Sequence, residues 1–214
     1  MFRVDIGGGT LTLLPERAAF VPEQRALLVA DVHVGKAASF RGLGVPVPHG
    51  TTAGTLERLS VALEATAAEE LIVLGDFVHS ARSFVSGTVQ ALARWRAAHA
   101  ALRITLLRGN HDHRAGDPPA ALGIHVVEGP LRCGPYLLVH EPLPMLDAYV
   151  LGGHLHPCVT VGAGGFDRLR LPCFHFGARV GVLPAFGEFT GSRALPRAEG
   201  DRVFAIAEQG VHEV

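Results

Sequence analysis

The chain has 214 residues, of which 48% are hydrophobic and 18% are charged, and this balance excludes an intrinsically disordered protein. Its formal net charge of −1 and isoelectric point near 6.9 exclude the broad basic surface that a protein needs to bind duplex DNA without other help. No apolar run approaches the ~20 residues of a membrane span, so we expect no membrane partner. The three cysteines form no CxxC pair, so we expect reduced thiols in a cytoplasmic protein.

The first strands and the first helix are predicted before residue 70. Residues 1–25 alternate and carry turn signals, which indicates short hairpin strands. Ala26–Ala30 is a continuous apolar run, typical of a strand that is covered on both faces. A loop rich in Gly and Pro is expected over residues 36–50, and Thr51 or Thr52 is expected to cap the helix that follows.

The rest of the chain changes from alternating elements to strands alone. Two more buried strands are predicted at Leu71–Leu74 and Ile104–Leu107, with a helix over residues 86–100 between them. The later predicted strands are 124–127, 136–139, 149–151, 158–161, 168–171 and 203–207. This order predicts an α/β (α+β) fold in one domain over residues 1–214, with a β-sandwich of mixed sheets flanked by helices, in the layer order α/β/β/α.

Polar clusters follow five of these predicted strands at the point where each strand ends. The clusters are Asp31-Val32-His33, Gly75-Asp76, Gly109-Asn110-His111-Asp112, Val139-His140 and Gly152-Gly153-His154-Leu155-His156. Because ligands of open α/β sheets bind beyond the carboxyl ends of the strands, we expect these side chains to converge in one place. The glycines before Asp76, Asn110 and His154 are expected to permit sharp turns and close approach of the backbone.

Seven residues of these clusters have side chains that bind divalent metal ions. They are Asp31, His33, Asp76, Asn110, His140, His154 and His156. Mixed imidazole and oxygen ligands suit Mn, Fe, Zn or similar ions. Seven ligands are too many for one tetrahedral site, so they predict two ions roughly 3.5–4 Å apart and bridged by a carboxylate. Such a pair can hold a hydroxide at neutral pH and clamp phosphate oxygens.

His111 and Asp112 are predicted as catalytic residues, because they follow a predicted ligand directly. A cationic imidazole at position 111 could bind a phosphate and protonate the leaving oxygen, while the adjacent carboxylate holds its orientation. Taken singly, each cluster has a simpler explanation, such as a turn or a buried core histidine. The prediction depends on all five clusters occurring at strand ends.

Several basic residues near the clusters are weaker candidates for contact with the substrate. Lys36 and Arg41 lie in the loop after the first cluster, and Arg114 lies two residues after Asp112. Each could contact a phosphate or be a solvated loop charge. His49 is expected at a helix start, and its role is left open.

In this order, the five clusters resemble the motifs of the calcineurin-like metallophosphoesterases, and the match spans about residues 26–160. The resemblance implies one ion on Asp31, His33 and His156 and a second ion on Asn110, His140 and His154. It also implies that Asp76 bridges the ions and that His111 is the catalytic histidine. Residues 77–79 depart from the Asp or Gly that many family members have there, so His79 receives no role.

A narrower resemblance is carried by Ala30–Gly50 and Leu171–Ser192, which are similar to the bacterial ligase-associated phosphoesterases of the DNA damage response. It implies a phosphodiesterase or endonuclease whose substrate is single-stranded DNA or another nucleic acid. It also implies a functional association with a DNA ligase and a helicase. We expect Mn²⁺ as the metal, with Fe or Zn as alternatives.

Two other functions stay open at this point. A small-molecule phosphoesterase, acting on cyclic nucleotides or nucleotide sugars, suits the modest net charge, because no large basic track is evident. A non-catalytic scaffold on the same fold is the third candidate, and the presence of His111 with every expected ligand argues against it. The strand-rich surface and apolar C-terminal stretch would permit a homodimer.

Overall fold

The computed structural model describes residues 1–47, 50–162, 168–208 and 210–214, which form strands throughout and α-helices between residues 36 and 115. The strands are β1 (Phe2–Ile6), β2 (Gly9–Leu13), β3 (Ala19–Val21), β4 (Ala26–Val29), β5 (Glu70–Leu74), β6 (Arg103–Leu107), β7 (His125–Val127), β8 (Leu131–Cys133), β9 (Tyr136–Leu138), β10 (Tyr149–Gly152), β11 (Pro157–Val161), β12 (Leu169–Phe176), β13 (Val180–Val182), β14 (Arg193–Ala194), β15 (Arg202–Ala207) and β16 (Gly210–Glu213). The helices are α1 (Lys36–Arg41), α2 (Thr51–Thr66), α3 (Ser86–Ala98) and α4 (Asn110–Ala115).

The first seven strands form one sheet in the order of the chain. Strands β1 to β4 pair antiparallel, whereas β4, β5, β6 and β7 run parallel to one another. All four residues of β4 are buried, because the sheet is covered on both faces, as parallel strands require. The parallel arrangement places the carboxyl ends of β4, β5 and β6 at the same edge of this sheet.

The later strands form the second sheet, which packs on the first through a large apolar core. Leu28 of the first sheet and Phe174, Phe176 and Phe204 of the second are fully buried in this core. Within the second sheet, β10 runs parallel to β9 and to β13. The carboxyl ends of β9 and β10 therefore also lie side by side.

Helices α2 and α3 cover the face of the first sheet that points away from the second sheet. Leu56 and Leu59 of α2 and Leu92 of α3 pack there with Leu71 and Ile104. The predicted mixed α/β sandwich is confirmed. Among the described residues none after position 122 is helical, so the described helical layer lies on the first sheet. No helix formed by the described residues is long and apolar enough to cross a membrane.

Some local predictions are wrong. Helix α1 replaces part of the loop that we expected over residues 36–50. The sequence did not predict it, because six residues are too few to show a helical period. Helix α2 begins at Thr51, but its N-cap is Gly50 and no side chain caps it. Strands β8, β13, β14 and β16 were not predicted. His49 lies outside the described residues.

Candidate metal centre

Five strand ends meet at one edge of the sandwich and carry the predicted ligands to it. Asp31 comes shortly after β4, Asp76 after β5 and Asn110 after β6, all in the first sheet. His140 and His154 follow β9 and β10 of the second sheet. The edge that the two sheets share is therefore lined by carboxylate, amide and imidazole groups.

The converging side chains form two groups. In the first group, one ligand atom each of Asp31, His33 and His156 lies within 4.8 Å of the others, and the same holds for Asp76, His140 and His154 in the second group. Asn110 joins the second group, because its Oδ1 lies 3.0 Å from Nε2 of His140. These are the seven residues predicted as ligands, and the six other than Asp76 divide as the family resemblance implies.

Asp76 lies between the two groups. Its Oδ2 is 4.0 Å from Nε2 of His33 in the first group, and its Oδ1 is 3.6 Å from Nε2 of His140 in the second. The side chain of Asp76 is 3% exposed, so solvent cannot satisfy these oxygens. One carboxylate oxygen faces each group, which is the arrangement that a bridging ligand needs.

Buried atoms of the first group fit a bound cation. Oδ1 of Asp31 and both ring nitrogens of His33 are buried, and none of the described residues gives them a hydrogen bond. Buried polar atoms rarely remain unsatisfied in a folded protein. A cation held by these atoms would satisfy Asp31 Oδ1 and one nitrogen of His33.

Two imidazoles are oriented by main-chain carbonyl groups. Nδ1 of His140 lies 3.0 Å from the carbonyl oxygen of Leu74, and Nδ1 of His156 lies 3.0 Å from that of Gly191. When Nδ1 donates its proton to a carbonyl, Nε2 keeps its lone pair and can bind a metal ion. Both Nε2 atoms face an aspartate of the centre, as the distances of 3.6 Å to Asp76 and 3.5 Å to Asp31 show.

The backbone at the ligands is strained. Five of them adopt the left-handed conformation that non-glycine residues rarely take, namely Asp31 (φ 53°), His33 (φ 48°), Asp76 (φ 52°), His154 (φ 64°) and His156 (φ 47°). Such strain costs energy and persists where the surrounding structure enforces it, most often at functional sites. Here the backbone N–H of His33 donates to the carbonyl of Asp76 at 2.9 Å, and that of His154 donates to Oδ2 of Asp31 at 2.8 Å.

Glycines beside the ligands allow a close approach that any other residue would block. A Cβ on Gly109 would lie 2.3 Å from Oδ1 of Asp76, and one on Gly153 would lie 2.6 Å from Oδ2 of Asp31. A Cβ on Gly75 would lie 2.2 Å from Nδ1 of His140. The close approach expected at these glycines is therefore confirmed.

Burial shifts His33, His79 and Asp76 of the centre toward their neutral forms. Burial, followed by the charge of Lys36, lowers the pKa of His33 to about 2 and that of His79 to about 4. Burial also raises the pKa of the Asp76 carboxyl, and the neighbouring Asp31 carboxylate adds to this rise. Cations between the two aspartates would offset the cost of keeping both carboxylates ionised.

His111 faces the centre, and its ring is held by a main-chain group. Its Nε2 is 4.0 Å from Oδ2 of Asp76, and its Nδ1 lies 2.8 Å from the carbonyl oxygen of His79. The side chain is 30% exposed, so a substrate can reach it. The ring of His79 also stacks on that of His111, with centroids 4.9 Å apart.

We predicted that Asp112 orients the His111 ring, but its carboxylate instead binds backbone N–H groups. It is buried, and its carboxylate accepts hydrogen bonds from the backbone N–H groups of Phe77, Val78 and Gly109. These bonds tie the loop after β5 to the start of α4. Sequence reasoning missed the part of His79 in orienting His111, because a carbonyl group supplies it and no side-chain pattern marks a carbonyl.

The two arginines predicted as substrate contacts lie at element ends. Arg41, the last residue of α1, donates from Nη1 to the carbonyl of Val47 at 3.3 Å. Arg114 is exposed in the last turn of α4. Their contact with a phosphate stays a prediction.

Comparisons with known proteins agree with this geometry. The family model described as calcineurin-like phosphoesterase matches residues 24–143. Among solved structures, the nuclease MPE of Pseudomonas putida is 41% identical, with a TM-score of 0.88 over 100% of this chain and 99% of that one. Yfce, a phosphoesterase from E. coli, is 15% identical, with a TM-score of 0.42 over 88% of this chain and 97% of that one. No curated protein matches this chain.

Gly109→Ala is expected to lower the affinity for Mn²⁺ by about tenfold or more, the usual cost of disturbing the groups that support metal ligands. The added methyl group would meet Oδ1 and the backbone nitrogen of Asp76, at 2.3 and 2.4 Å. Titration of Mn²⁺ with calorimetric detection measures the effect. Gly87→Ala is the control, because no atom lies within 4 Å of its added Cβ. Equal affinities in the two variants would contradict the prediction.

His33 is expected to lower the stability of the metal-free protein as the pH falls below about 6.5, because the pKa of His33 is lowered to about 2 in the folded state. Between these pH values the unfolded chain binds a proton that the folded chain does not. Stability that is complete above the unfolded pKa is therefore lost progressively on acidification. Urea unfolding in chelator at about pH 7.5 and about pH 5.5 measures the loss. His33→Asn should lose less, and an equal loss would show that His33 is not responsible.

Proposed function

Because this chain belongs to the calcineurin-like phosphoesterases, it is a metal-dependent hydrolase of phosphoesters, and we propose that it is a dinuclear phosphodiesterase that cleaves single-stranded DNA. The observation that carries the dinuclear part of the proposal is the position of Asp76. Its two oxygens face two separate groups of potential ligands, at 4.0 Å and 3.6 Å. A single ion would leave one of these groups without a cation.

The proposed ligands divide between two ions. One ion would be held by Asp31, His33 and His156, the other by Asn110, His140 and His154, and Asp76 would contact both. When bound, such ions neutralise phosphate oxygens and lower the pKa of a water molecule toward neutrality. Mn²⁺ is the proposed metal, since nitrogen and oxygen donors are mixed, and Fe and Zn are the alternatives.

His111 is the proposed proton donor to the leaving oxygen. The carbonyl of His79 accepts the Nδ1 proton, so the ring presents Nε2 to the centre, where a second proton makes it cationic. This nitrogen lies 4.0 Å from Oδ2 of Asp76, so a proton on it would be delivered beside the proposed ions. Asp112 would contribute indirectly, by fixing the loops that carry Asp76 and His111.

A nucleic acid is the proposed substrate class, because a protein named as a nuclease is 41% identical over the whole chain. The net charge of −1 favours a local contact with one strand over a broad contact with a duplex. A role in the DNA damage response, beside a DNA ligase and a helicase, belongs to the same proposal and is supported by the sequence resemblance. The modest net charge also suits a small-molecule diester, which is the second candidate.

With Mn²⁺, the protein is expected to hydrolyse bis-p-nitrophenyl phosphate and single-stranded DNA, with little turnover of p-nitrophenyl phosphate. Turnover of 2′,3′-cyclic AMP without cleavage of DNA would favour the small-molecule function instead. Inactivity on all four substrates, with Mn²⁺ shown to be bound, would favour the scaffold and end the enzymatic proposal.

His111→Ala is expected to lower kcat on bis-p-nitrophenyl phosphate by about 10²–10⁴-fold, the usual contribution of a proton donor, while the metal content stays that of the wild type. The matched control is His113→Ala. His113 lies two residues after His111 on the same helix, and its Nε2 is 3.6 Å from a carboxylate oxygen of Glu128. Elemental analysis beside the rate measurement separates loss of metal from loss of turnover. A His111→Ala enzyme with wild-type turnover would refute the role.

A further inference from the structure

Lys36 is the only lysine among the 19 lysine and arginine residues of the chain. It begins α1, three residues after His33, and is partly buried. The charges of Asp76 and Asp31 act on its ammonium group, and its own charge acts on His33. A compact, partly buried cation therefore lies beside the metal centre, and the proposed mechanism makes no use of it.

A narrow, open cleft lies between this lysine and the start of α2. Its walls include His33, Lys36 and Phe189 together with three threonines of α2, namely Thr51, Thr52 and Thr55. Because His33 belongs both to the cleft and to the metal centre, a ligand in the cleft would be a direct neighbour of a group bound at the centre.

The start of α2 offers hydrogen-bond donors to this cleft. The helix runs for 16 residues, and no side chain caps its first turn. Uncapped N–H groups and the positive end of the helix dipole favour an anion.

Thr55 supplies an independent sign of a ligand. Its side chain is buried, with 4% of the residue exposed, and its hydroxyl has no hydrogen bond to any residue that the structure describes. Ser60 and Thr66 of the same helix, by contrast, donate to carbonyl groups one turn earlier, at 3.2 and 2.8 Å. The Thr55 side chain lines the cleft without a described partner for its hydroxyl, which is therefore free to donate to a ligand oxygen there.

Acidic and basic side chains both lie around the cleft. Its carboxylate, Glu188, is already paired with Arg58, at 2.7 Å, and Arg17 lies close enough to both to respond to their charges. Arg17 and Arg58 also donate to the carbonyl groups of the segment that carries Glu188. Glu188 is therefore paired with Arg58, and metal ions that neutralise Asp31 and Asp76 would leave the charge of Lys36 to a bound anion.

We propose that this cleft is a second phosphate subsite, which takes the phosphate next to the scissile one in a single-stranded polynucleotide. The ammonium of Lys36, the hydroxyl of Thr55 and the first N–H groups of α2 would donate to its oxygens. The inference rests on the proposed function. It adds that the enzyme binds at least two consecutive phosphates of the polynucleotide backbone. It predicts that a diester with a neighbouring phosphate is a better substrate than an isolated diester.

Phe189 favours a polynucleotide over a plain polyphosphate as the occupant. Its side chain stands at the rim of the cleft and is 49% exposed, although it is large and apolar. Its backbone is held in the left-handed conformation, with φ of 56°, as at the metal ligands. Exposed aromatic rings beside phosphate-binding groups serve to stack nucleobases.

The test uses single-stranded oligonucleotides in which one phosphodiester can be cleaved and the other linkages are neutral methylphosphonates. In two further oligonucleotides a single charged phosphate is restored next to the cleavable linkage, on its 5′ side in one and on its 3′ side in the other. For the Mn²⁺-loaded wild type, we expect a phosphate on one of the two sides to raise kcat/KM by about tenfold, the value of one charge-assisted hydrogen bond. In Lys36→Met this gain should fall to about threefold or less, and Thr55→Val should reduce it in the same direction.

Arg94→Met is the matched control, because it removes an exposed positive charge from α3. It should keep the full gain. An equal loss of the gain in Arg94→Met would assign the effect to general electrostatics and overturn the subsite. So would a wild type that gains nothing from a phosphate on either side.

Failure of the proposed function gives a different pattern, in which neither bis-p-nitrophenyl phosphate nor any oligonucleotide is cleaved. The subsite is then tested by acetylation of the single lysine, followed by mass spectrometry. An oligonucleotide with two adjacent phosphates should protect Lys36 better than one with a single phosphate. Equal protection by both oligonucleotides would overturn the proposal.

Discussion

The buried carboxylate of Asp76 is the group on which the rest of the centre depends. Burial raises its pKa, and the Asp31 carboxylate nearby raises it further, so an ionised pair is costly in the empty protein. The fold nevertheless holds Asp76 in a left-handed conformation, with one oxygen toward each group of ligands. Positive charge on both sides of this carboxylate would turn an unfavourable arrangement into a favourable one. The site therefore makes physical sense as a place for two cations.

The sandwich supplies the rigidity that this arrangement needs. Parallel strands of the first sheet and of the second end at a common edge, so ligands far apart in the chain meet without long loops. Glycines at Gly75, Gly109 and Gly153 let neighbouring turns approach within distances that a Cβ would prevent. Carbonyl groups of the same turns orient His111, His140 and His156. Strand order, turn glycines and imidazole orientation thus act together on a few atoms.

The sequence was sufficient to predict the strands that carry the ligands and the seven side chains that meet. Both follow from side-chain patterns, because buried parallel strands are continuous apolar runs and their polar ends stand out. What could not be predicted depends on the backbone. The carbonyl of His79 that orients His111 and the N–H groups that bind Asp112 leave no mark in residue types. The short helix α1, which places Lys36 beside His33, was also missed, because six residues show no helical period.

Anomalous diffraction at the manganese absorption edge, from crystals grown with Mn²⁺, tests the dinuclear centre most directly. The proposal predicts two peaks on opposite sides of the Asp76 carboxylate. One should lie within bonding distance of Asp31, His33 and His156, and the other within bonding distance of Asn110, His140 and His154. A single peak at full occupancy, or ions bound away from Asp76, would contradict it.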